Sequence, residues 1–161
     1  MVRPVGNTLL GGAGTDVLSY VGSTAGVSIS LASGVGHHGH AAGDRVSGFE
    51  NVVGSDFNDV LAGDGAANLL EGGKGDDTLI GGAGADTLWG GLGFDTVDYS
   101  ASPAGVTIGP IDVEGVDEAG IGGDADGDEI RWIERIVGSD FADRLIGGVW
   151  AERLVAGVGD E

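Results

Sequence analysis

The sequence has no cysteine and few basic residues, and each shortage excludes a class of structure or partner. Without cysteine the chain cannot form disulfide bonds or thiolate metal sites. Seven lysines and arginines stand against 26 aspartates and glutamates, so the formal net charge is −19 at pH 7. Nucleic acids and anionic membranes require a basic surface, and we expect neither as an electrostatic partner. No apolar run is long enough for a membrane-spanning helix, so we also expect no membrane insertion.

Glycine, in contrast, is abundant. It accounts for 35 of the 161 residues, while 41% of the residues are apolar and only three are proline. This composition is too apolar for a low-complexity disordered segment, and the glycines do not follow the every-third-residue register of collagen. In the middle of the chain their spacing is nine residues instead. Residues 54–98 divide into five successive nonapeptides, which read GSDFNDVLA, GDGAANLLE, GGKGDDTLI, GGAGADTLW and GGLGFDTVD.

These nonapeptides share a pattern of glycine, acid and aliphatic residue. An Asp or Asn occupies the sixth place and an aliphatic residue the eighth. The sixth-place residues are Asp59, Asn68, Asp77, Asp86 and Asp95, and the eighth-place residues are Leu61, Leu70, Leu79, Leu88 and Val97. A nine-residue apolar period suits neither a helix nor an uninterrupted strand. It suits a three-residue strand with one inward side chain, followed by a six-residue turn whose glycines adopt φ > 0 and bring carbonyl oxygens together.

Two nonapeptides then complete one coil, and turns that are two nonapeptides apart stack on the same edge. Asp59, Asp77 and Asp95 would share one edge, and Asn68 and Asp86 the other. Adjacent strands lie about 4.8 Å apart, and two carboxylates at that distance repel by roughly 3.5 kcal/mol at an effective dielectric constant of 20. Such a stack requires cations. Calcium accepts six to eight oxygen ligands in flexible geometry, so we expect several Ca²⁺ ions here rather than Mg²⁺.

The rest of the chain contains further nonapeptides and an internal duplication. Residues 11–19, GGAGTDVLS, match the pattern with Asp16 at the sixth place. The segment that begins at Gly11 is repeated from Gly90, and the segment that begins at Gly43 is repeated from Gly127. We therefore predict two units, residues 1–89 and a degenerate second unit, residues 90–161, that ends in a C-terminal cap.

In the second unit, GSDFADRLI contains Asp143, and Glu replaces Asp at Glu152 and Glu161. Arginines follow the acids at a spacing of nine residues. One hypothesis is that these arginines partly replace calcium as counter-charge in the cap; the alternative is that they are solvated surface residues, since exposed ion pairs contribute little. The residues concerned are Arg135, Arg144 and Arg153.

The pattern G-G-x-G-x-D-x-U-x resembles the calcium-binding repeat of the RTX (hemolysin-type) family, over residues 54–98 and 11–19. The resemblance implies an all-β parallel β-roll, or β-solenoid, with spacer strands and loops, type I secretion, and Ca²⁺ held by carboxylates and turn carbonyls. Carried over to this chain, the carboxylate ligands are Asp16, Asp59, Asp77, Asp86 and Asp95, with Asp143 as a further candidate. The carbonyl ligands are those of Gly72, Gly73, Gly75, Gly81, Gly82, Gly84, Gly90, Gly91 and Gly93. Asn68 departs from the pattern and offers a neutral oxygen, so its edge should bind calcium more weakly.

Three other groups of residues suggest sites but also have simpler interpretations. Asp124, Asp126 and Asp128 resemble the start of an EF-hand loop, but Glu129 and Arg135 occupy the places that require Gly and Glu. We favour an acidic turn over a calcium loop of another type. His37, His38 and His40 have no obvious fourth ligand, so an exposed polar loop is favoured over a transition-metal site. Trp89, Trp132 and Trp150 form no regular stripe, which favours core or cap packing over a carbohydrate platform.

No motif of a hydrolase nucleophile, a zinc protease or a phosphate-binding loop occurs. We therefore predict a non-enzymatic module that folds when it binds calcium outside the cell. Two alternatives remain. The chain is the non-catalytic C-terminal module of a secreted enzyme, such as a protease, lipase or polysaccharide epimerase, or it is an adhesin element that binds an extracellular glycan.

Overall fold

A computed structural model describes residues 6–109, 120–147, 153–157 and 159. Within these ranges the chain forms short strands and two short 3₁₀ helices, with no α-helix. The strands are β1 Thr8–Leu10, β2 Val17–Ser19, β3 Ser28–Ser30, β4 Val35–His37, β5 Arg45–Ser47, β6 Asn51–Val53, β7 Val60–Ala62, β8 Leu69–Lys74, β9 Thr78–Ile80, β10 Thr87–Leu92, β11 Thr96–Asp98, β12 Thr107–Ile108, β13 Glu129–Arg131, β14 Arg135–Val137, β15 Arg144–Leu145 and β16 Arg153–Val155. The 3₁₀ helices span Gly39–Ala41 and Gly123–Ala125. In the described part of the chain no helix is both long and apolar enough to cross a membrane.

The strands of the central nonapeptides alternate between two sheets and pair in parallel within each. The nine-stranded sheet has the order β1-β5-β4-β3-β7-β9-β11-β14-β16, and the five-stranded sheet has the order β13-β10-β8-β6-β2. Each central strand pairs in parallel with the strand two nonapeptides away, so that Leu61 lies beside Leu79 and Leu70 beside Leu88. Two nonapeptides therefore make one coil, and the predicted parallel β-roll is confirmed.

The core between the two sheets is one side chain wide. The eighth-place residues Leu61, Leu70, Leu79, Leu88 and Val97 are all 0% exposed. Asp59, two residues before Leu61, closes the preceding turn. Val60, between these two residues, faces outward with 41% of its surface exposed. Each nonapeptide thus contributes one fully inward apolar side chain, as the period of nine predicts.

Segments of extra chain interrupt the coils and form additional strands. After β3, whose Ile29 is buried, the chain reverses at Gly34 (φ +65°) into β4. Strand β4 pairs antiparallel with β3 and with β5. The sequence predicts only an irregular loop over residues 32–45, whereas the structure has strand β4 there. A glycine with positive φ allows the tight reversal into this strand, and the segment has no apolar alternation that would predict it. We call residues 20–50 the first spacer and residues 99–134 the second spacer.

The described parts of the two spacers make equivalent contacts on opposite sheets. Strand β5 of the first spacer pairs with β1, and the strand that follows this spacer, β6, pairs with β2. Strand β13 of the second spacer pairs with β10, and the strand that follows it, β14, pairs with β11. Strands β1 and β5 belong to the nine-stranded sheet, but their equivalents β10 and β13 belong to the five-stranded sheet. The equivalents of β3 and β7 are β12 and β15, which pair in a separate two-stranded sheet. The second spacer is therefore inserted half a coil away from the position on the roll that corresponds to the first, so that equivalent strands lie in opposite sheets.

Candidate metal centre

The sixth-place residues form a hydrogen-bonded ladder along each edge of the roll. The Oδ1 atom of Asp77 accepts the backbone N–H of Asp59 at 2.8 Å, and that of Asp95 accepts the N–H of Asp77 at 2.8 Å. On the other edge, Oδ1 of Asp86 accepts the N–H of Asn68 at 2.8 Å. The structure thus brings these residues together as the coil geometry predicts. One oxygen of each carboxylate has a structural role, because it satisfies a backbone donor of the preceding coil.

The second carboxylate oxygen of Asp77, Asp86 and Asp95 has no hydrogen-bond partner. These three side chains are 1%, 1% and 0% exposed, so water does not compensate the missing bonds. The Oδ2 atom of Asp16 is likewise buried without a partner in its turn. A buried, unpaired carboxylate oxygen is costly unless a cation or a proton accompanies it. These oxygens therefore suit a hard divalent cation, and they belong to the ligand set that the repeat predicts.

Burial in the turns also changes the acidity of these groups. It raises the pKa of Asp77 and of Asp86 from 3.8 to about 7, and that of Asp95 to about 6. The backbone N–H bonds described above lower these pKa values in part, and neighbouring carboxylates raise them again, such as Asp95 beside Asp77. Without a cation, then, the folded turns favour the protonated acids at pH values where an exposed aspartate is ionised.

The first-place glycines provide the space for these carboxylates. A Cβ atom on Gly72 would meet Oδ2 of Asp77 and lie 2.6 Å from the carbonyl oxygen of Gly90. A Cβ on Gly81 would meet Oδ2 of Asp86 in the same way. The unpartnered oxygen and a carbonyl of the next coil therefore lie side by side, at a point that only glycine leaves open.

Glycines at the second and fourth places are required for a different reason. Their φ angles are positive, which L-residues with a side chain rarely adopt. The angles are +110° at Gly73, +109° at Gly75, +91° at Gly82, +131° at Gly84, +113° at Gly91 and +154° at Gly93. The first-place glycines Gly72, Gly81 and Gly90 do not have positive φ. The sequence-based expectation of φ > 0 thus holds for two of the three glycines, and close packing explains the third.

The donors at each turn are one carboxylate and backbone carbonyls. Among the described residues, no three His, Asp or Glu side chains converge on a common point. Calcium accepts carbonyl oxygens as readily as carboxylates, and the glycine-rich turns expose carbonyls that side chains would otherwise cover.

Sequence analysis missed four acids that continue the ladders through the spacers. Oε2 of Glu50 accepts the N–H of Asp16, and Oε2 of Glu134 accepts the N–H of Asp95, each at 2.8 Å. Asp44 and Asp128 cap Asn7 and Asp86 in the same way and also accept the hydroxyls of Tyr20 and Tyr99. The available signal is the triplet acid–x–aliphatic at the start of a strand. It occurs as Asp44–Val46, Glu50–Val52, Asp128–Ile130 and Glu134–Ile136.

The acidic loop of the second spacer is a structural turn. Asp128 is 0% exposed and is held by Tyr99 and by the N–H of Asp86. Gly123–Ala125 forms a 3₁₀ helix in which the Asp124 N–H donates to Ser102 Oγ at 3.0 Å. Among the residues that the structure describes, no α-helix flanks the loop, which agrees with the acidic turn rather than an EF-hand.

The histidines and tryptophans do not form a centre. His37, His38 and His40 are exposed, as expected for a polar loop. Trp132 packs edge-on against Trp89, with ring centroids 6.1 Å apart, but half of Trp132 remains exposed. The pair therefore lies at the surface, whereas core or cap packing was favoured. Trp150 lies outside the described residues.

The arginine hypothesis for the cap stays a prediction. Register places Arg135 beside Arg153 on adjacent strands, which brings like charges together. Within the described ranges, the ion pairs are Lys74–Asp56 and Arg131–Glu129, and none involves Arg135, Arg144 or Arg153. Glu152 and Glu161, whose turns the hypothesis concerns, lie outside those ranges.

The raised pKa values predict that acid stabilises the calcium-free protein. A carboxyl group whose pKa is higher in the folded state contributes stability that is present below pH 3.8 and is lost as the pH rises through about 6 to 7. We expect calcium-free protein to resist urea better at pH 5 than at pH 8. The calcium affinity should change in the opposite direction, because protons compete for the same oxygens. Urea denaturation of decalcified protein at both pH values tests this, and greater stability at pH 8 would contradict it.

The geometry agrees with comparison to known proteins. The RTX calcium-binding nonapeptide repeat matches four times, over residues 6–20, 46–73 and 62–97. No curated protein matches the chain. The matched ranges contain the ladders and the unpartnered oxygens of Asp16, Asp77, Asp86 and Asp95. Over residues 6–20 and 46–97 the chain therefore carries copies of the RTX calcium-binding nonapeptide repeat.

Proposed function

We propose that the chain is a calcium-binding β-roll module in which ion binding and folding are one event. The observation that carries this proposal is the row of buried Oδ2 atoms on Asp77, Asp86 and Asp95 that lack hydrogen-bond partners. Buried ionisable oxygens that lie next to backbone carbonyls and close to the first-place glycines suit a bound cation. Bound calcium supplies the positive charge that the carboxylates lack.

The residues have separate roles in holding the ion. The carboxylates of Asp16, Asp77, Asp86 and Asp95 supply charged oxygens, and the Oδ1 atoms of Asp77, Asp86 and Asp95 meanwhile hold the coils in register. The carbonyls of the first-, second- and fourth-place glycines complete the donor set. Asn68 is less suited, because its Oδ1 already accepts the N–H of Asp64 at 2.8 Å and its Nδ2 donates to the Glu50 carbonyl at 3.0 Å. Its edge should therefore hold calcium more weakly.

The family context supports secretion by bacteria. RTX repeats typically occur in secreted bacterial proteins. A chain with a charge of −19 and a thin core would stay unfolded where calcium is scarce and fold where calcium is abundant. We further propose that residues 1–89 and 90–161 are two copies of one non-catalytic unit. The equivalent pairing of their described strands supports this division.

Replacing one ligand carboxylate tests calcium binding directly. Asp77→Asn keeps an oxygen for the Asp59 N–H but removes the charge and one of the two acceptor oxygens. We expect this variant to bind one ion fewer, or to need at least about tenfold more calcium, since ligand charge sets affinity in oxygen sites. Native mass spectrometry counts the ions, and isothermal titration gives the affinities.

The matched control is Asp140→Asn, which removes an equal charge from an exposed position. It should bind as the unmodified chain does. Equal loss in both variants would show a diffuse charge effect, and no loss in Asp77→Asn would refute the assigned site.

A further inference from the structure

Two turns of the array differ from the others in sequence. They read GSDFND over residues 54–59 and GSDFAD over residues 138–143, so that a serine stands where the other nonapeptides have their second glycine or, at residue 64, an aspartate. Each follows a spacer: the first joins β6 to β7, and the second joins β14 to β15. The same exception therefore occurs at the same point of both units.

In the first of these turns the carboxylate is satisfied by the protein itself. Oδ2 of Asp59 accepts the N–H of Ser55 at 2.5 Å, and Oδ1 accepts the Ser55 hydroxyl at 2.9 Å. Oδ1 also accepts the N–H of Val27, at the start of the first spacer strand, at 2.7 Å. Both oxygens of this buried carboxylate thus have donors, whereas the corresponding Oδ2 atoms of Asp77 and Asp95 on the same edge have none.

The second turn repeats the two contacts to Oδ1. The Ser139 hydroxyl donates to Oδ1 of Asp143 at 2.7 Å, and the N–H of Val106 donates to the same oxygen at 2.9 Å. In both turns the serine oxygen also accepts the N–H of the phenylalanine two residues on, at 3.1 Å for Phe57 and for Phe141. Val106 leads into β12 as Val27 leads into β3. The agreement between the two units shows that the arrangement is built into the turn sequence.

We propose that Ser55 closes its turn in place of calcium, so that the Asp59 carboxylate is a structural acceptor and not a calcium ligand. This inference rests on the proposed calcium-binding function and limits it to the remaining turns. A carboxylate that accepts several hydrogen bonds is stabilised in its charged form without a cation. An incoming ion would have to displace the serine donors to reach it.

The position of these turns explains why a serine replaces the second glycine there. Each one ties the first strand of a spacer to the strand that resumes the array, through Val27 N–H to Asp59 and Val106 N–H to Asp143. At these junctions the spacer interrupts the regular coil. A turn closed by its own serine holds the junction without an ion of its own, whereas the repetitive turns beyond it depend on the ion.

The test is an ion count combined with a stability measurement in saturating calcium. Ser55→Ala should bind as many calcium ions as the unmodified chain, with a calcium midpoint within about twofold, but should melt several degrees lower. Asp77→Asn, measured alongside, should lose an ion. A serine variant that loses an ion would overturn the inference and leave the proposed function intact. A full ion count in Asp77→Asn would instead refute the proposed function.

A second measurement does not depend on a variant that folds. Crystals of the unmodified chain grown in calcium should show anomalous peaks at the turns of Asp77, Asp86 and Asp95. A peak within bonding distance of an Asp59 carboxylate oxygen would overturn the inference, and its absence there with peaks elsewhere would support it.

Discussion

Removal of calcium is expected to abolish most of the β structure of this chain at neutral pH. Each central nonapeptide contributes one fully inward side chain, from Leu61 to Val97, which is little apolar burial for nine ordered residues. The carboxylates of Asp77 and Asp95 are adjacent in one ladder, and Asp86 and Asp128 in the other. Their repulsion and burial oppose folding once the cation is gone.

Far-UV circular dichroism during a calcium titration measures this directly. The β signal should be small in excess chelator at pH 8 and rise cooperatively as calcium is added. Magnesium at the same concentration is the control and should restore little, because Mg²⁺ requires near-octahedral geometry and gives up water reluctantly. A strong β signal that persists in chelator would show that the core holds the fold without the ion.

The second large effect should come from a single methyl group at Gly72. Gly72→Ala would place its Cβ against Oδ2 of Asp77 and 2.6 Å from the Gly90 carbonyl oxygen. The backbone of two coils or the ligand carboxylate must then move. We expect the free energy of unfolding in calcium to fall by ~3 kcal/mol or more, since overpacking at a rigid backbone position is among the costlier substitutions. Calcium affinity should fall as well, because the displaced oxygen is one of the proposed ligands.

Two other glycines separate the causes of this effect. Gly65 has open space around its Cβ position and no positive φ, so Gly65→Ala should be neutral or stabilise by about 0.4–1 kcal/mol. Gly12 also has open space but a φ of +113°, so Gly12→Ala should show the backbone strain alone. Chemical denaturation of the three variants in saturating calcium gives the comparison. If Gly72→Ala lowers the free energy of unfolding no more than Gly65→Ala does, the Asp77 carboxylate does not pack closely against Gly72.

The coil geometry could be predicted from the sequence because a single period determines it. A spacing of nine places Leu61 over Leu79 and Asp59 over Asp77 once two nonapeptides make a coil. Every later nonapeptide repeats the same short-range rule, so local pattern and global fold agree.

The parts that could not be predicted depend on contacts between distant residues. Strand β4 lies in a glycine- and histidine-rich segment with no apolar alternation, and only its pairing with β3 and β5 makes it a strand. Glu134 caps Asp95 across 39 residues of chain, outside any glycine-rich nonapeptide. The difference between Asp59 and Asp77 also depended on structure, because Ser55 is an unremarkable small residue until its hydroxyl is seen to reach the carboxylate.

The half-coil offset between the two spacers has a consequence for longer arrays of this kind. Because β1 and β5 lie in one sheet and their equivalents β10 and β13 in the other, duplicating the unit turns it by about 180° around the long axis. If the duplication were extended in the same way, successive insertions would project alternately to the front and the back. A partner that binds along one face of such an array would then contact an insertion only at every second unit. The spacing between its contacts would be twice the length of one sequence repeat.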